Sequence, residues 1–413
     1  MQSVSAAPRK AALAFIFVTV MLDILALGMV IPVLPKLLVR FLSGDTARAA
    51  IVFGMFVSAF ELMQFVFSPV LGVLSDRFGR RPIVLLSNLG LGLDYVFMAA
   101  APSLLLLFVG RVIAGVTSAS FAVAGAYIAD VMPPEKRAAG FGMLGAAFGI
   151  GFVVGPALGG VLGKLNPTFP FWAAATLSLV NAMYGFLVLP ESLAREHRVP
   201  FEWKRANPFG SFVLLRTHKE LLGLACATFA ANLGHFVLQS TFVLYAGYRY
   251  HWDERAVGLA LGGVGVCSAV VQAGLVGVVV EKIGERATLI VGLFCGALGF
   301  AIYGFAPTGR WFCLGIPVMA LWGLSGPSAQ TLMTRRIGPS EQGQLQGASA
   351  SIAAIAGIVA PGIFAKAFSV AIEPHSPFPF VGAPFFVATL FLFVALGIAV
   401  RVTRGGDAGV SHT

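Results

Sequence analysis

Residues Gly72 to Pro82 read GVLSDRFGRRP, which places four charges, Asp76, Arg77, Arg80 and Arg81, within six residues. The chain around them is 58% hydrophobic and 11% charged, with 36 Phe among 413 residues, so charge this dense needs a reason. On either side of the quoted stretch, apolar runs of about 20 residues recur along nearly the whole chain. Each is long enough to cross the hydrocarbon layer of a bilayer as a helix. A mean hydropathy of +0.88 does not suit a water-facing surface. The runs do not alternate apolar and polar residues, which excludes an outer-membrane barrel. The first run is also too long for a cleavable signal peptide, and no small-residue cleavage site precedes Asp23, Pro32 and Pro35.

Apolar runs set against charged or Gly/Pro breaks predict twelve spans. They start near Ala11, Ala50, Pro82, Leu104, Ala138, Phe169, Glu220, Ala256, Ala287, Arg310, Leu345 and Phe378. The predicted fold is therefore an all-α integral membrane protein of twelve transmembrane helices in two pseudo-symmetric six-helix bundles. Residues 1–190 form the first bundle and 220–402 the second. Residues 191–219 form a polar linker, and 403–413 a disordered tail. The net charge of +10 is scattered between spans rather than gathered on one face, which argues against nucleic acid. Nineteen Lys and Arg fall on the side carrying the termini and eight on the other, so both termini are expected in the cytoplasm. Cys226, Cys267, Cys295 and Cys313 lie in apolar segments without a CxxC pair and read as small buried hydrophobes.

The quoted stretch has a second copy 205 residues later. GVVVEKIGER begins at Gly277, and Gly72, Asp76, Arg77, Gly79 and Arg81 map to Gly277, Glu281, Lys282, Gly284 and Arg286. The same offset relates Pro134 to Pro339, Gly142 to Gly347 and Pro156 to Pro361. One constant offset over three regions indicates two homologous halves in parallel orientation, an arrangement typical of alternating-access carriers. Within the first loop, Gly72 and Gly79 allow a tight reversal and Pro82 suits the first turn of span three. Asp76 is placed to accept from a neighbouring helix N-terminus. Arg80 and Arg81 can bridge to carboxylates at other helix ends, with Asp130 the best candidate. The expectation is a gating latch of Gly72, Asp76, Arg77, Gly79, Arg80, Arg81 and Asp130, with Glu281, Lys282 and Gly284 as its counterpart; the alternative is a plain positive-inside anchor.

GVLSDRFGRRP resembles the signature loop of the major facilitator superfamily. GAAFGIGFVVGPALGG, Gly145 to Gly160, resembles the antiporter motif in the fifth span of its drug-exporting members. MLDILALGMVIPVLP (Met21 to Pro35), LGLDYVF (Leu91 to Phe97) and GRVIAGVTSAS (Gly110 to Ser120) add to a similarity that is greatest to tetracycline/proton antiporters. The resemblance runs from about Leu13 to Val400. It implies that Asp76 and Arg80 belong to a gate, Gly155 and Pro156 to the antiporter bend, and Asp23, Asp94 and Arg111 to the coupling and substrate region. Tetracycline exporters carry an acidic residue in span nine, whereas GLFCGALGF, Gly292 to Phe300, has none.

Charges within spans are costly, on the order of 2.5 to 3.5 kcal/mol at the bilayer centre on the lenient scale. Asp23, Glu61, Asp94 and Arg111 lie there, all in the first half. The 205 offset maps Asp23, Asp94 and Arg111 to Thr228, Gly299 and Ile316, so proton chemistry is expected in the first half and a more apolar substrate surface in the second. Low dielectric favours a neutral carboxyl and a nearby Arg an ionised one. A carboxyl that meets Arg in only one state of the carrier can therefore bind and release a proton. Asp23 or Asp94 is the expected proton carrier and Arg111 the switching partner; a permanent pair that only orders the bundle is the alternative. Glu61, three residues before Gln64 on the same helical face, reads as a coupling acid, a cation contact or a snorkelling side chain.

Gln64, Asn232, His235, Gln239, Gln272 and Gln330 lie in apolar spans and are candidate substrate contacts, or else helix-to-helix hydrogen bonds. Gly145, Gly149, Gly151, Gly155, Gly159 and Gly160 are expected to make one face of span five small, with Pro156 bending it. No GxxxxGK[ST], HExxH or GxSxG motif is present, so no enzyme activity, metal site or cofactor is expected and the energy source is a proton gradient. The expected role is a proton-coupled, monomeric inner-membrane exporter of small amphipathic compounds, tetracycline-like ones included. A nutrient or sugar symporter of the same fold and a non-transporting sensor are the alternatives.

Overall fold

In the computed structural model the described residues are 6–118, 120–133, 137–203, 206–210, 212–338, 341–373, 375–376 and 379–404, and no strand occurs among them. Residues 405–413 of the expected tail, as well as Pro134, Lys136 and Pro339, lie outside that set. The first eight helices are α1 (Ala6–Val30), α2 (Leu34–Phe41), α3 (Thr46–Phe78), α4 (Arg80–Ala100), α5 (Leu104–Thr117), α6 (Ser120–Val131), α7 (Arg137–Leu165) and α8 (Phe169–Val188). After them come α9 (Phe212–Thr217), α10 (Lys219–Ser240), α11 (Phe242–Tyr250), α12 (Glu254–Val270), α13 (Val276–Phe305) and α14 (Gly309–Ala320). The last are α15 (Ser325–Thr334), α16 (Gln342–Ile372) and α17 (Ala383–Thr403). In lipid the backbone must satisfy its own polar groups, and long apolar runs do so as helices.

Ten stretches are long and apolar enough to cross a membrane. One of them, Glu254–Phe305, has 52 residues, more than twice what a single crossing needs, and it turns at Gly284. The fourth predicted span is divided into α5 and α6 at Ser118, whose backbone leaves the helical region. With those two features the helices are consistent with twelve crossings, and the chain is an all-α, multi-pass membrane protein. Gly79 turns the chain into α4 with φ 106 and Gly284 turns α13 with φ 77, conformations that a side chain would strain. The 205-residue offset pairs these two glycines with each other. The last helix starts at Ala383, where Gly382 and Pro384 set the first turn; the predicted start, Phe378, lies outside the described residues.

By packing, the chain divides into two units. The first comprises Met1–Phe41, Ala59–Pro208 and Asp253–Gly262; the second comprises Leu42–Ser58, Phe209–Trp252 and Gly263–Thr413. The interior of the first unit contains a polar group: Thr19, Asp23, Asn88, Asp94, Arg111 and Asn181 are all buried. The interior of the second is aromatic. Tyr303 stacks on Phe312 with ring centroids 3.9 Å apart, and Tyr245 meets Phe385 edge-on at 4.7 Å.

Candidate functional site

Asp94 on α4 and Arg111 on α5 form a buried ion pair, Arg111 Nη2 donating to Asp94 Oδ2 at 3.2 Å. The Asp94 side chain is wholly sealed and that of Arg111 is 8% exposed. Gly110 makes the approach possible, since a Cβ there would lie 2.8 Å from Asp94 Oδ1. The Arg111 guanidinium also lies over the Phe60 ring, 5.7 Å from its centroid. Arg111 and Asp23 line one cavity of about 60 Å³ together with Phe60, Tyr95 and Ser118. Asp23 is oriented by Asn181 of α8, whose Nδ2 donates to Asp23 Oδ1 at 3.2 Å and to the Thr19 carbonyl at 3.2 Å. Thr19 Oγ1 closes the arrangement by donating to Asn181 Oδ1 at 3.2 Å. One acid, Asp23, and one base, Arg111, thus line a small and mostly apolar cavity within the first unit, with Arg111 already paired to Asp94 behind it.

The glycines of α7 do two different things. Gly151 and Gly155 pack onto the backbone of α1. A Cβ would fall 2.9 Å from Met21 O at Gly151 and 2.7 Å from Leu25 O at Gly155, and at Gly159 it would collide with the Met29 backbone. Gly28 answers from α1, where a Cβ would sit 2.9 Å from Pro156 Cδ. On the other side, Gly160 packs against the backbone of Glu254 and Gly258 of α12, and Gly258 against Pro156 O. Gly145 and Gly149 depart from the expected single small face, because neither has anything within 4 Å of a Cβ position. The reason is helical phase: the four-residue spacing breaks between Gly149 and Gly151, and two residues rotate the helix by about 200°.

At the charged loop Arg80 gathers the first half's network. Its Nε donates to Asp130 Oδ2 at 3.0 Å, and its Nη1 to Asp76 Oδ1 and Ser75 Oγ, both at 2.6 Å. At the N-terminus of α4 the acceptor is Glu191: its Oε1 accepts from the Arg80 backbone N–H at 2.8 Å. Asp76 accepts from the Arg80 side chain. Glu191 also accepts from the backbone of Ser192 and Leu193, and Ser192 Oγ donates to Asp130 Oδ2 at 3.0 Å. Arg81 Nη2 donates to the Phe186 carbonyl at 2.6 Å, and Arg77 lies over its neighbour Phe78. In the second half Arg335 grips Glu285 through both Nη1, at 3.2 Å, and Nη2, at 2.5 Å. The 205 offset maps Arg80 to Glu285 and Asp130 to Arg335, so this is the same ion pair with its charges exchanged. Glu281 and Lys282, the residues expected there, are both exposed.

Gln64 Nε2 donates to Ser118 Oγ at 3.4 Å. Glu61 is half-buried and makes no hydrogen bond or ion pair among the described residues. On α10 the His235 ring packs on Trp322, centroids 5.2 Å apart, with Asn232 half-buried beside it and Gln239 exposed. Gln272 is exposed in the π-turn Val271–Leu275, and Gln330 is half-buried on α15. Thr19, Asn181, Glu191, Glu285 and Arg335 are not singled out as site residues by the sequence. Applying the repeat offset to Arg80 and Asp130 would have found the last two.

A family model described as Major Facilitator Superfamily matches residues 16–361. The class C tetracycline resistance protein of Escherichia coli is 38% identical over 351 residues, covering 85% of this chain and 88% of that protein. The class G tetracycline resistance protein of Vibrio anguillarum is 36% identical, over 84% and 88%. Among solved structures, a bacterial homologue of the human lysosomal transporter Spinster, inward-facing and unoccupied, superposes with a TM-score of 0.78. It is 16% identical and covers 97% of this chain and 98% of that one.

Proposed function

The chain belongs to the major facilitator superfamily, and on that premise we propose that it is a proton-coupled exporter of small amphipathic compounds, tetracycline-like ones included. The observation that carries this reading is the buried pair Asp94–Arg111, whose Arg also lines the cavity that Asp23 shares. A permanent structural salt bridge needs neither a second acid nor a cavity beside it. An acid that exchanges its proton as the carrier changes state needs both, because the Arg must have an alternative carboxylate and water must reach the site. Asp23, held by Asn181, supplies that alternative.

In this reading Arg111 pairs with Asp94 in one state and moves towards Asp23 in another, and the acid left without the Arg takes up a proton. The glycine seams of α7 with α1 and α12 let helices move against one another without dragging side chains past the backbone. The Arg80 and Arg335 networks hold loop geometry at the helix ends. The tetracycline resistance relatives support the cargo class and the bacterial inner membrane as location. The distribution of Lys and Arg supports both termini in the cytoplasm, and a monomer driven by the proton gradient without a cofactor completes the proposal.

The test is substrate-dependent proton movement in everted membrane vesicles across a panel that includes tetracycline. Wild type is expected to dissipate the pH gradient on addition of a cargo, and Asp94→Asn is expected to abolish that response while expressing normally. Full-speed export by a protein with both Asp23 and Asp94 neutralised would refute the proposal.

A further inference from the structure

The linker after α8 carries exposed aromatic side chains among bases. Residues 195–205 read REHRVPFEWKR, four bases (Arg195, Arg198, Lys204, Arg205) against two acids (Glu196, Glu202). Trp203 is 75% exposed, and Phe201 meets it edge-on with ring centroids 4.9 Å apart. This exposure is not the slack of a floating tether, because Leu193 before the segment and Ala206 after it are buried. Arg195 is exposed, and its side chain makes no hydrogen bond or ion pair among the described residues. Arg198 leans on Glu191 at 3.8 Å. The second unit repeats the combination: Phe209 is 58% exposed, and Arg216 of α9 is exposed without an ion pair among the described residues.

The segment sits level with the span ends. The Val199 N–H donates to the carbonyl of Asp76, in the last turn of α3, at 3.3 Å. Trp203, four residues on, is within about 14 Å of Val199. α8 runs into the linker through Phe186 and Leu187, exposed apolar side chains of a span, so the linker is continuous with lipid-facing surface. Trp172 in the first turn of α8 and Trp311 in that of α14 are also exposed at span ends, the depth at which an indole is favoured. An exposed aromatic pair beside an unpaired Arg marks a docking surface. Its excess of bases complements anionic phosphodiesters, and its continuity with the spans puts those phosphodiesters within reach.

We propose that residues 195–203 dock on anionic phospholipid, with Phe201 and Trp203 set into the headgroup zone and Arg195 on the phosphates. From the proposed function this takes only the name of the leaflet, the cytoplasmic one; the docking itself does not require transport. Glu191 and Ser192, just before the segment, hold the Arg80 backbone and Asp130. Lipid composition therefore bears on the corner that Arg80 gathers.

The experiment follows Trp203 in the purified full-length protein, held in nanodiscs of phosphatidylcholine to which phosphatidylglycerol is added in steps. The signal is the emission that wild type has and Trp203→Phe lacks, and acrylamide quenching reports its contact with water. Phosphatidylglycerol should lower that quenching at least about twofold. The amount needed for half the effect should rise about fivefold in Arg195→Gln and about thirtyfold in Arg195→Glu, and stay unchanged in Arg195→Lys. Equal thermal unfolding of the variants in phosphatidylcholine alone certifies their fold. Quenching that is the same at every lipid composition, or that phosphatidylglycerol lowers alike in wild type and Arg195→Glu, overturns the proposal. Shielding that appears only when cytosolic extract is added also overturns it, by making the surface a protein-binding face. Shielding by phosphatidylglycerol in a protein that moves no cargo upholds the proposal and removes the transport reading; cargo export without such shielding does the reverse.

Discussion

Replacing single glycines of α7 by alanine separates the seam against α1 from the rest of the helix. At Gly155 a new Cβ would lie 2.7 Å from Leu25 O, and at Gly151 2.9 Å from Met21 O, whereas ordinary contact begins at 3.4 Å. The opposing atoms are backbone, which cannot rotate out of the way, so α1 must shift by several tenths of an ångström along the seam. Overpacking of this kind costs about 1–3 kcal/mol. At Gly145 and Gly149 nothing lies within 4 Å, so the added methyl meets no wall. All four substitutions gain the same helix propensity, about 1 kcal/mol, and this cancels in the comparison. Gly151→Ala and Gly155→Ala should therefore be less stable than Gly145→Ala and Gly149→Ala by about 1–3 kcal/mol, and Gly159→Ala, which meets the Met29 backbone, less stable still. Thermal unfolding of the purified variants in one detergent, followed by tryptophan fluorescence, reads the difference. Equal midpoints for all the variants, or a greater loss at Gly145 than at Gly155, would refute the packing argument.

Removing Arg80 strips Asp76 and Asp130 of a largely buried partner and should cost about 2–5 kcal/mol. Arg335→Ala, whose side chain is 64% exposed, should cost at most about 1 kcal/mol; thermal unfolding of both variants checks the contrast. Asn181→Ala should lower stability by about 1–3 kcal/mol and slow turnover in vesicles without preventing cargo binding, because it releases Asp23 from its orienting donor. Near α12, the Lys164 ammonium 2.8 Å from Asp253 and the Ala256 N–H hold the Asp253 carboxyl below the ordinary aspartate range. The stabilisation is present above the unfolded pKa of about 4 and lost as pH falls through the lower folded value. Asp253→Asn should flatten the acid limb of the stability curve slightly, since both groups are in contact with water and screened.

The crossings could be read from composition because lipid admits few structures, and the repeat because two loops had kept their glycines. Arg80 and Asp130 could be matched from sequence since both are charged and the count of Lys and Arg put them at the same membrane face. Asn181 could not: a neutral amide in an apolar helix has many possible partners, and only packing of α8 on α1 selects Asp23. Glu191 was hidden for a different reason, lying in a polar stretch that looked like a tether. Its role as acceptor at the α4 N-terminus depends on the turn at Gly79. The glycines of α7 were correctly seen as small but not as divided, because the change of phase between Gly149 and Gly151 is invisible in a motif read as one string.

The exchanged signs of Arg80–Asp130 and Glu285–Arg335 bear on how a duplicated chain avoids confusing its copies during insertion. If the start of α4 met the end of α15 in place of its own partner, Arg80 would face Arg335; the reciprocal error would set Asp130 against Glu285. Each wrong union brings like charges together and each right one joins opposites, so the two copies discriminate self from sibling at that corner. Exchanging Glu285 and Arg335 would erase the distinction while keeping that pair's attraction, and the penalty would then surface in the yield of correctly assembled protein, not in its rate of turnover.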